Sequence, residues 1–427
     1  MNDLFTETAA PTPIEAKKLY AERERRLEDV IALKQPDRVP ISYSSNFYHA
    51  RYAGISSRTA MYDYEALAAA TRRVVLDLQP DSVNSPFGGT ALGPTLELVG
   101  YRSYQWPGHG LPDDRPFQYI DHENMRADEY DDFLEDPSWF YLTRYLPRVC
   151  DAYEPLAKLP QLAGRTSVRI PFFSRYWGDP DVAAALVKIS AVGREAEKML
   201  KRAADFDQEL RDLGFPLARH ASTTAPYDYF GDFLRGSKGI MLDLFRRKDT
   251  LLLAMERVVP MLIRDAVLTA SANGGKIVFI PLHWGIDAFM SLDQFKIFYW
   301  PQLRRVILGL IEHGLTPFVF WEGKCDSRME TIADVPVGKC IYWFERSDLF
   351  RAKAVLGDIA CLRGDVPGSM LIAGTAEEVR EYCKKLITIV GKGGGFMLDA
   401  SSGIPDESKP TNVLAMFQAA RDFGRYD

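Results

Sequence analysis

The residues of this chain that could do chemistry come directly after short apolar runs. His283, Glu322 and Glu345 each follow a run of mostly apolar residues, and Asp365 follows another. An imidazole in such a place can bind a metal ion or move a proton, and a carboxylate can do the same. We therefore predict these four as catalytic residues. The structural alternative is a capped loop histidine and carboxylates paired with neighbouring cations such as Lys324.

Other candidates stand near the same positions. Cys361 lies inside the next apolar run, and as a thiolate it would complete a metal site with His283 and Glu322, although a buried cysteine is most often a small apolar residue. Six further residues lie near predicted strand ends or in a long loop, and we predict that they bind the substrate or the cofactor. They are His49, His109, His220, Trp284, Trp321 and Asp399.

A regular alternation of elements must position these residues. Amphipathic helices separate strand-like segments at 276–282, 316–321, 338–344, 358–362 and 395–398. This spacing predicts parallel strands with right-handed crossovers, and so many units in a short stretch favour a (β/α)8 TIM barrel over an open sheet. Catalytic residues of such barrels lie at the C-terminal ends of the strands. We therefore expect His283 and the acidic candidates, Asp399 included, to open onto one cavity.

The remaining chain is divided as follows. Residues 1–36 are predicted to form an N-terminal tail and helical arm, with Thr12 as the cap of the helix and Pro13 in its first turn. Residues 37–427 are predicted to form a single barrel domain, with an irregular excursion inserted at about 100–215. Long structured loops on a barrel usually shape the substrate pocket.

The composition argues against several classes of protein. The 427 residues carry a net charge of −6 and contain no basic block, so we expect no nucleic-acid partner. No apolar stretch is long enough for a membrane span, and the N-terminus does not resemble a secretory signal. The five cysteines have no paired short spacing, which fits a reducing compartment. We expect a cytoplasmic protein without a membrane partner.

Several segments of the chain resemble the uroporphyrinogen decarboxylase superfamily. The likeness covers most of residues 20–425 and is carried by Arg23–Pro40, Ser291–Leu303, Gly364–Pro367, Gly403–Pro405 and Asn412–Met416. This resemblance implies a TIM-barrel enzyme from one of two branches, the porphyrinogen decarboxylases or the corrinoid-dependent methyltransferases.

The motifs of the two branches separate them. The decarboxylases carry an early Arg-Gln-Ala-Gly-Arg motif that faces the carboxylates of the substrate, and the equivalent stretch here, 44–51, lacks it. Recognition of a polycarboxylate needs such cations, so we expect no uroporphyrinogen decarboxylation. The methyltransferase branch carries a His-x-Cys-Gly zinc motif and a late cysteine. Here 320–323 reads Phe-Trp-Glu-Gly, which puts Glu322 where that motif has its thiol, and Ser402 stands near the late cysteine.

The resemblance therefore implies a corrinoid (cobalamin)-dependent methyltransferase that acts on a small methylated substrate, with O-demethylation of an aryl methyl ether as one candidate reaction. Since the chain has no Asp-x-His-x-x-Gly corrinoid motif, the corrinoid must come on a separate corrinoid protein or free. Zn²⁺ is the metal that we consider, with His283, Glu322 and Cys361 as its ligands. Two alternative functions stay open, a carboxy-lyase acting on another acid and a non-catalytic small-molecule-binding barrel. A homodimer also stays open as the oligomeric state.

Overall fold

Eight parallel strands form the centre of the molecule in the computed structural model, which describes residues 9–161 and 170–426. The strands are β1 (Ser42–Tyr43), β2 (Ser82–Val83), β3 (Ala221–Ser222), β4 (Ile277–Leu282), β5 (Thr316–Trp321), β6 (Ile341–Phe344), β7 (Cys361–Val366) and β8 (Phe396–Ala400). Strands β3 to β8 form one sheet in chain order, and β1 and β2 form a second sheet.

Isolated bridges connect the edges of the two sheets. Val83 of β2 pairs with Leu217, just before β3, and Leu398 of β8 pairs with Ile41, just before β1. All eight strands therefore form one ring, and the expected (β/α)8 architecture is confirmed. Such a ring places the C-terminal ends of its strands together at one end of the barrel.

The bounds of the strands agree with the sequence in part. The predicted strand 316–321 is found as β5, and the predicted strand 276–282 begins one residue later, as β4. The predicted strand 358–362 is displaced, because β7 begins at Cys361 and continues to Val366. β7 pairs with β8 from Leu362 opposite Phe396 to Val366 opposite Ala400, and this pairing continues the strand through Gly364.

The N-terminal helix closes one end of the barrel. This helix, α1 (Pro13–Ile31), has Thr12 as its cap and Pro13 in its first turn, as predicted, and a capping box between Thr12 and Glu15 in addition. Leu27 and Val30 of α1 pack against a cluster from inside the ring, which consists of Phe318, Phe320, Ile341, Trp343, Cys361 and Met397. The end closed by α1 is the N-terminal end of the strands.

Helices cover the outside of the ring. The larger ones are Tyr64–Leu78, Gly236–Arg246, Lys248–Ala272, Trp300–Glu312, Leu349–Leu356, Ala376–Ile389 and Pro410–Phe423. Shorter helices are Tyr48–Ala53, Ser57–Tyr62, Phe87–Thr90, Gly93–Val99, Met329–Ile332 and Gly368–Ala373. The excursion contains the strands Tyr104–Pro107, Gly110–Leu111 and Gln118–Tyr119 and the helices Tyr130–Glu135, Pro137–Phe140, Leu146–Val149, Ser174–Trp177 and Pro180–Asp212. None of the helices in the described part of the chain has the length and hydropathy to cross a membrane.

Candidate active site

The candidate active site lies at the C-terminal ends of β3, β4 and β5. After β3, Pro226 begins a helical turn that continues as the π-helical segment Tyr229–Arg235. Asp228 and Asp232 are four positions apart, so the helical turn presents both carboxylates on one side. π-Helical turns are rare and occur frequently at functional sites.

The imidazole of His283 lies between two carboxylates. This residue is the first after β4, and Glu322 is the first after β5. His283 Nδ1 is 2.6 Å from Asp232 Oδ2, and His283 Nε2 is 3.3 Å from Glu322 Oε1. The side chains of His283 and Glu322 are 40% and 35% exposed, so a substrate can reach them. Trp284, also predicted as a binding residue, donates from Nε1 to Asp232 Oδ1 at 2.7 Å and thereby fixes that carboxylate.

A third carboxylate, Asp228, is completely buried beside His283 and Asp232. Its oxygens accept hydrogen bonds from the backbone N–H of His283 at 2.9 Å and from the hydroxyl of Tyr299 at 2.8 Å, with the N–H of Trp284 at 3.4 Å. One ligand atom from each of Asp228, Asp232 and His283 lies within 4.8 Å of the others, close enough to hold a metal ion. Because Asp228 is buried and accepts hydrogen bonds from the backbone N–H of His283 and from Tyr299, we interpret it as a positioning residue that holds the end of β4.

The charges of this cluster determine its protonation. Burial lowers the pKa of the His283 imidazole, but the hydrogen bonds with Asp232 and Glu322 outweigh burial and raise it to about 11. Without a metal ion the ring is therefore an imidazolium at neutral pH. Burial and the neighbouring charge of Asp232 raise the pKa of the Asp228 carboxyl to about 7. The site thus combines a cation and at least two carboxylates near solvent.

Glu345 contacts the site through a hydrogen bond from the backbone of the residue that follows Glu322. Its Oε2 accepts the N–H of Gly323 at 2.6 Å, and its Oε1 is 3.6 Å from Arg346. Gly323 has a φ of +71°, a conformation that favours glycine, and it turns the chain directly after Glu322. Glu345 therefore holds the turn that presents Glu322.

Two acidic candidates differ from the expectation because they lie within strands rather than after them. Asp365 is 9% exposed and accepts a hydrogen bond from the Tyr382 hydroxyl at 3.0 Å, and its burial raises its pKa to about 7. Asp399 is fully buried and forms an ion pair of 2.6 Å with Arg363 inside the barrel. The expectation that Asp399 opens onto the cavity is wrong, because Arg363 and Ser44 enclose its carboxylate.

The structure also corrects the predicted metal ligand Cys361. This residue begins β7 and pairs in register with Ile341, which pairs with Phe318. Glu322 stands four residues beyond Phe318, which at about 3.3 Å per residue corresponds to about 13 Å along the strand. The thiol packs instead in the cluster closed by α1. Asp232 takes the place beside His283 that we expected for Cys361.

Three predicted binding residues do not reach the site. Trp321 is fully buried and packs against Phe295 on the outer side of the barrel. The sequence does not predict this, because the alternation along a strand does not show which face points inward. His220 precedes β3, and its Nδ1 accepts from the N–H of Ile277 at 3.4 Å at the N-terminal end of the barrel. His49 is 1% exposed, and burial lowers its pKa to about 3, so the ring is neutral and enclosed.

The last of the predicted residues, His109, lies in the excursion. It stacks on Trp106 with ring centroids 4.4 Å apart, and its Nε2 is 3.4 Å from Glu97. These contacts tie His109 to its own segment rather than to His283.

Comparison with known proteins agrees with this architecture. Curated uroporphyrinogen decarboxylases from Chromohalobacter salexigens and Methylococcus capsulatus are 24% and 26% identical to the chain over 176 and 152 residues. These alignments cover 40% and 33% of this chain and 48% and 42% of the relatives. The chain thus spans about half the length of the curated relatives that it matches.

A solved structure shows a similar fold over nearly the whole chain. A methyltransferase from Methanosarcina mazei aligns with a TM-score of 0.63 at 15% identity and covers 94% of this chain and 98% of that one. The family model described as uroporphyrinogen decarboxylase (URO-D) matches residues 195–423, a stretch that includes Asp232, His283 and Glu322. Because this match extends over more than half of the sequence, the chain belongs to the uroporphyrinogen decarboxylase family.

Proposed function

We propose that this protein transfers a methyl group from a small methylated compound to the cobalt of a corrinoid. An aryl methyl ether is the donor that we favour, and the corrinoid is a second substrate, carried by a separate protein or free. The observation that supports this most is the His283 imidazole held between Asp232 and Glu322 at the open end of the barrel. An imidazolium in this position can donate a proton to the oxygen from which the methyl group is removed.

The proposed reaction moves one methyl group and one electron pair. The electron pair of cobalt(I) forms the new bond to the methyl carbon, while the bond between that carbon and the ether oxygen breaks. The electrons of the broken bond stay on the oxygen, which takes up a proton to leave as a phenol. His283 is protonated at neutral pH and supplies this proton from Nε2, because Asp232 holds Nδ1. General acid catalysis of this kind typically accelerates a reaction by roughly 10²–10⁴-fold.

The same residues fit a zinc-type ion as an alternative to the proton. Ligand atoms on a tetrahedral zinc ion with bonds of about 2.0–2.1 Å lie about 3.3 Å apart. His283 Nε2 and Glu322 Oε1 are 3.3 Å apart, and Asp232 on Nδ1 is the carboxylate partner that metal-bound histidines commonly have. A bound ion would act as a Lewis acid on the methyl-bearing oxygen. His283 and Glu322 are the ligands that we propose, with Asp232 as the residue that orients the ring.

A carboxy-lyase acting on another acid is the second candidate, and one observation favours it. The guanidinium of Arg219 lies 4.9 Å from the ring centroid of Phe279, which faces the inside of the barrel, and no ion pair to it is found among the described residues. An unpaired cation there could hold one substrate carboxylate. Asp365, with its raised pKa, could then protonate the carbon that loses CO2. One unpaired arginine does not match the many carboxylates of a porphyrinogen.

The two candidates can be separated with the purified protein. We would mix it anaerobically with cob(I)alamin and a panel of methylated aromatics, and follow the formation of methylcobalamin by its absorbance. We expect turnover with at least one aryl methyl ether, loss of turnover in His283→Ala, and unchanged turnover in the control His109→Ala. Elemental analysis of the same preparation would decide between the proton and the metal ion.

Parallel incubations would test the alternative. We expect no coproporphyrinogen from uroporphyrinogen. Release of CO2 from an aromatic acid without methylcobalamin formation would favour the lyase and contradict the proposal, and so would full methyl transfer by a folded His283→Ala variant.

A further inference from the structure

A cavity of about 710 Å³ lies at the N-terminal end of the strands, the end opposite the candidate active site. Its walls come from α1, from the segment before β1, from the turn before β2 and from the end of the chain. The cationic lining residues are Arg23, Arg26, Arg38, Arg421 and Arg425. This arginine cavity is not part of the proposed methyl transfer.

Acidic residues offset only part of its charge. Arg26 binds Asp37 and Asp81 at 2.6 Å each, and Arg38 binds the second oxygen of Asp81 at 2.7 Å. These pairs use both carboxylates, and the third acid, Glu22, is exposed on the rim. Among the described residues, the five lining arginines and these three carboxylates give the arginine cavity a net charge of +2.

The other three arginines bind no carboxylate among the described residues. Arg23 donates to a backbone carbonyl and to Gln79 Oε1, both at 2.7 Å, and these acceptors are neutral. Arg421 donates to the backbone carbonyl of Leu78. The side chain of Arg425 is exposed at the mouth. Each therefore keeps a full positive charge and N–H groups that a ligand can use.

The backbone holds these like charges together. Arg38 and Arg425 face one another in an antiparallel bridge, a position in which like charges repel. The pKa of Arg23 is lowered to about 10, chiefly by burial. The charge of Asp81 raises this pKa, whereas the positive charges of Arg38, Arg26 and Arg421 lower it further. An anion in the arginine cavity would relieve this repulsion.

We propose that the arginine cavity binds a small anion with at least two negative charges, of the phosphate or diphosphate class. Guanidinium groups are planar and donate paired N–H bonds that match phosphate oxygens. The volume of 710 Å³ lies in the usual range of small-ligand sites, about 300–1,000 Å³. A bound anion would connect α1, the entry to β1 and the C-terminal segment, and so stabilise the fold from the end opposite the chemistry.

Isothermal titration of the full-length protein with pyrophosphate tests this inference. We expect one pyrophosphate per chain and a melting temperature that rises with its concentration. Arg425→Gln removes one exposed positive charge and should weaken binding about fivefold or more, whereas Glu22→Gln removes one exposed negative charge and should tighten it about threefold. Both positions are exposed, so neither variant should lose its fold. The matched control is Arg264→Gln, an exposed arginine of the helix Lys248–Ala272, which should bind like the wild type.

Three results would overturn the inference. The first is no saturable binding up to about 10 mM pyrophosphate, which would correspond to less than about 3 kcal/mol of affinity. The second is equal weakening by Arg425→Gln and Arg264→Gln, which would mean only general attraction between the protein and anions. The third is binding that Glu22→Gln leaves unchanged or weakens. None of these measurements involves methyl transfer, so they stand apart from the proposed function.

Discussion

Replacing Asp232 with asparagine should lower the pKa of His283 and leave the fold intact. Burial lowers this pKa, and the bond of 2.6 Å with Asp232 is foremost among the interactions that raise it to about 11. Asparagine has nearly the same shape, and its oxygen can still accept the hydrogen bond of Trp284, but it carries no charge. Glu322 remains beside Nε2, so the pKa should stay above that of a free imidazole.

The size of the decrease follows from the charges involved. Two unit charges about 4 Å apart interact by about 4 kcal/mol at an effective dielectric constant of about 20. Because one pKa unit corresponds to about 1.4 kcal/mol, this interaction corresponds to about 3 pKa units. The His283 side chain is 40% exposed, so solvent screens the pair. We therefore expect about half of that value, a decrease of about 1.5 pKa units.

NMR titration of the histidine ring nitrogens in metal-free protein would measure this decrease. The matched control is Glu345→Gln, which removes the same charge from a neighbouring strand end, where the carboxylate binds the Gly323 N–H rather than the imidazole. We expect a much smaller change in the control. An unchanged pKa in Asp232→Asn, or an equal decrease in both variants, would refute the claim that Asp232 holds the imidazolium.

The same pair predicts how stability depends on pH. Since the folded pKa of His283 is raised from 6.5 to about 11, the contribution of the pair to the free energy of unfolding is complete below pH 6.5 and is lost as the pH rises through 11. Asp232→Asn should therefore reduce the melting temperature below pH 6.5 and have little effect above pH 11. A larger reduction at alkaline pH would contradict this sign.

Three further substitutions test the site and its surroundings. Glu322→Ala should lower the rate of methyl transfer by roughly 10²–10⁴-fold, because it removes a metal ligand or acid–base group, and should shift the melting temperature by only a few degrees. Arg363→Met should lower the free energy of unfolding by about 3–5 kcal/mol in urea titrations, because it leaves the buried carboxylate of Asp399 unpaired. His220→Ala should leave the methyl-transfer rate unchanged, because His220 lies at the N-terminal end of the barrel.

The contrary outcomes are distinct. Wild-type turnover by folded Glu322→Ala would make Glu322 structural. An unchanged urea midpoint for Arg363→Met would mean that Asp399 is neutral in the folded protein. Loss of turnover in a folded His220→Ala variant would contradict the placement of the active site at the C-terminal end of the barrel, opposite His220.

The sequence predicts the parts of the site that follow long strands. Strands β4 and β5 are six-residue, mostly apolar runs that His283 and Glu322 directly follow, and parallel strands in a barrel bring such ends together. The closeness of these two side chains therefore follows from the pattern alone. The partners that set the protonation of His283 do not follow from it.

The sequence analysis does not identify Asp228 and Asp232 as site residues. Their segment has no strand-like or helical periodicity long enough to show where it lies in the fold. β3 has two residues, and the contact between Asp228 and Tyr299 joins segments that lie far apart in the sequence. The available signal is local: Pro226 begins a helical turn, and two carboxylates four residues apart follow it.

Cys361 and Trp321 are misplaced for a different reason. Alternation along a strand separates two faces, but it does not show which face points into the barrel, nor how far along the barrel a residue lies. The register of β7 with β6 places Cys361 at the level of Ile341, and this register comes from pairing between distant segments. Such long-range pairing is not visible in one sequence.

A double-label experiment that follows the methyl carbon itself tests the proposed methyl transfer directly. A methoxybenzoate labelled with ¹³C in both its O-methyl and its carboxyl carbon would be mixed with the protein and cob(I)alamin, and both carbons followed by NMR. We expect the methyl label to move to cobalt while the carboxyl label stays on the ring, and Glu322→Ala to prevent this transfer. Release of labelled CO2 from a substrate whose methyl ether stays intact would contradict the proposed methyl transfer.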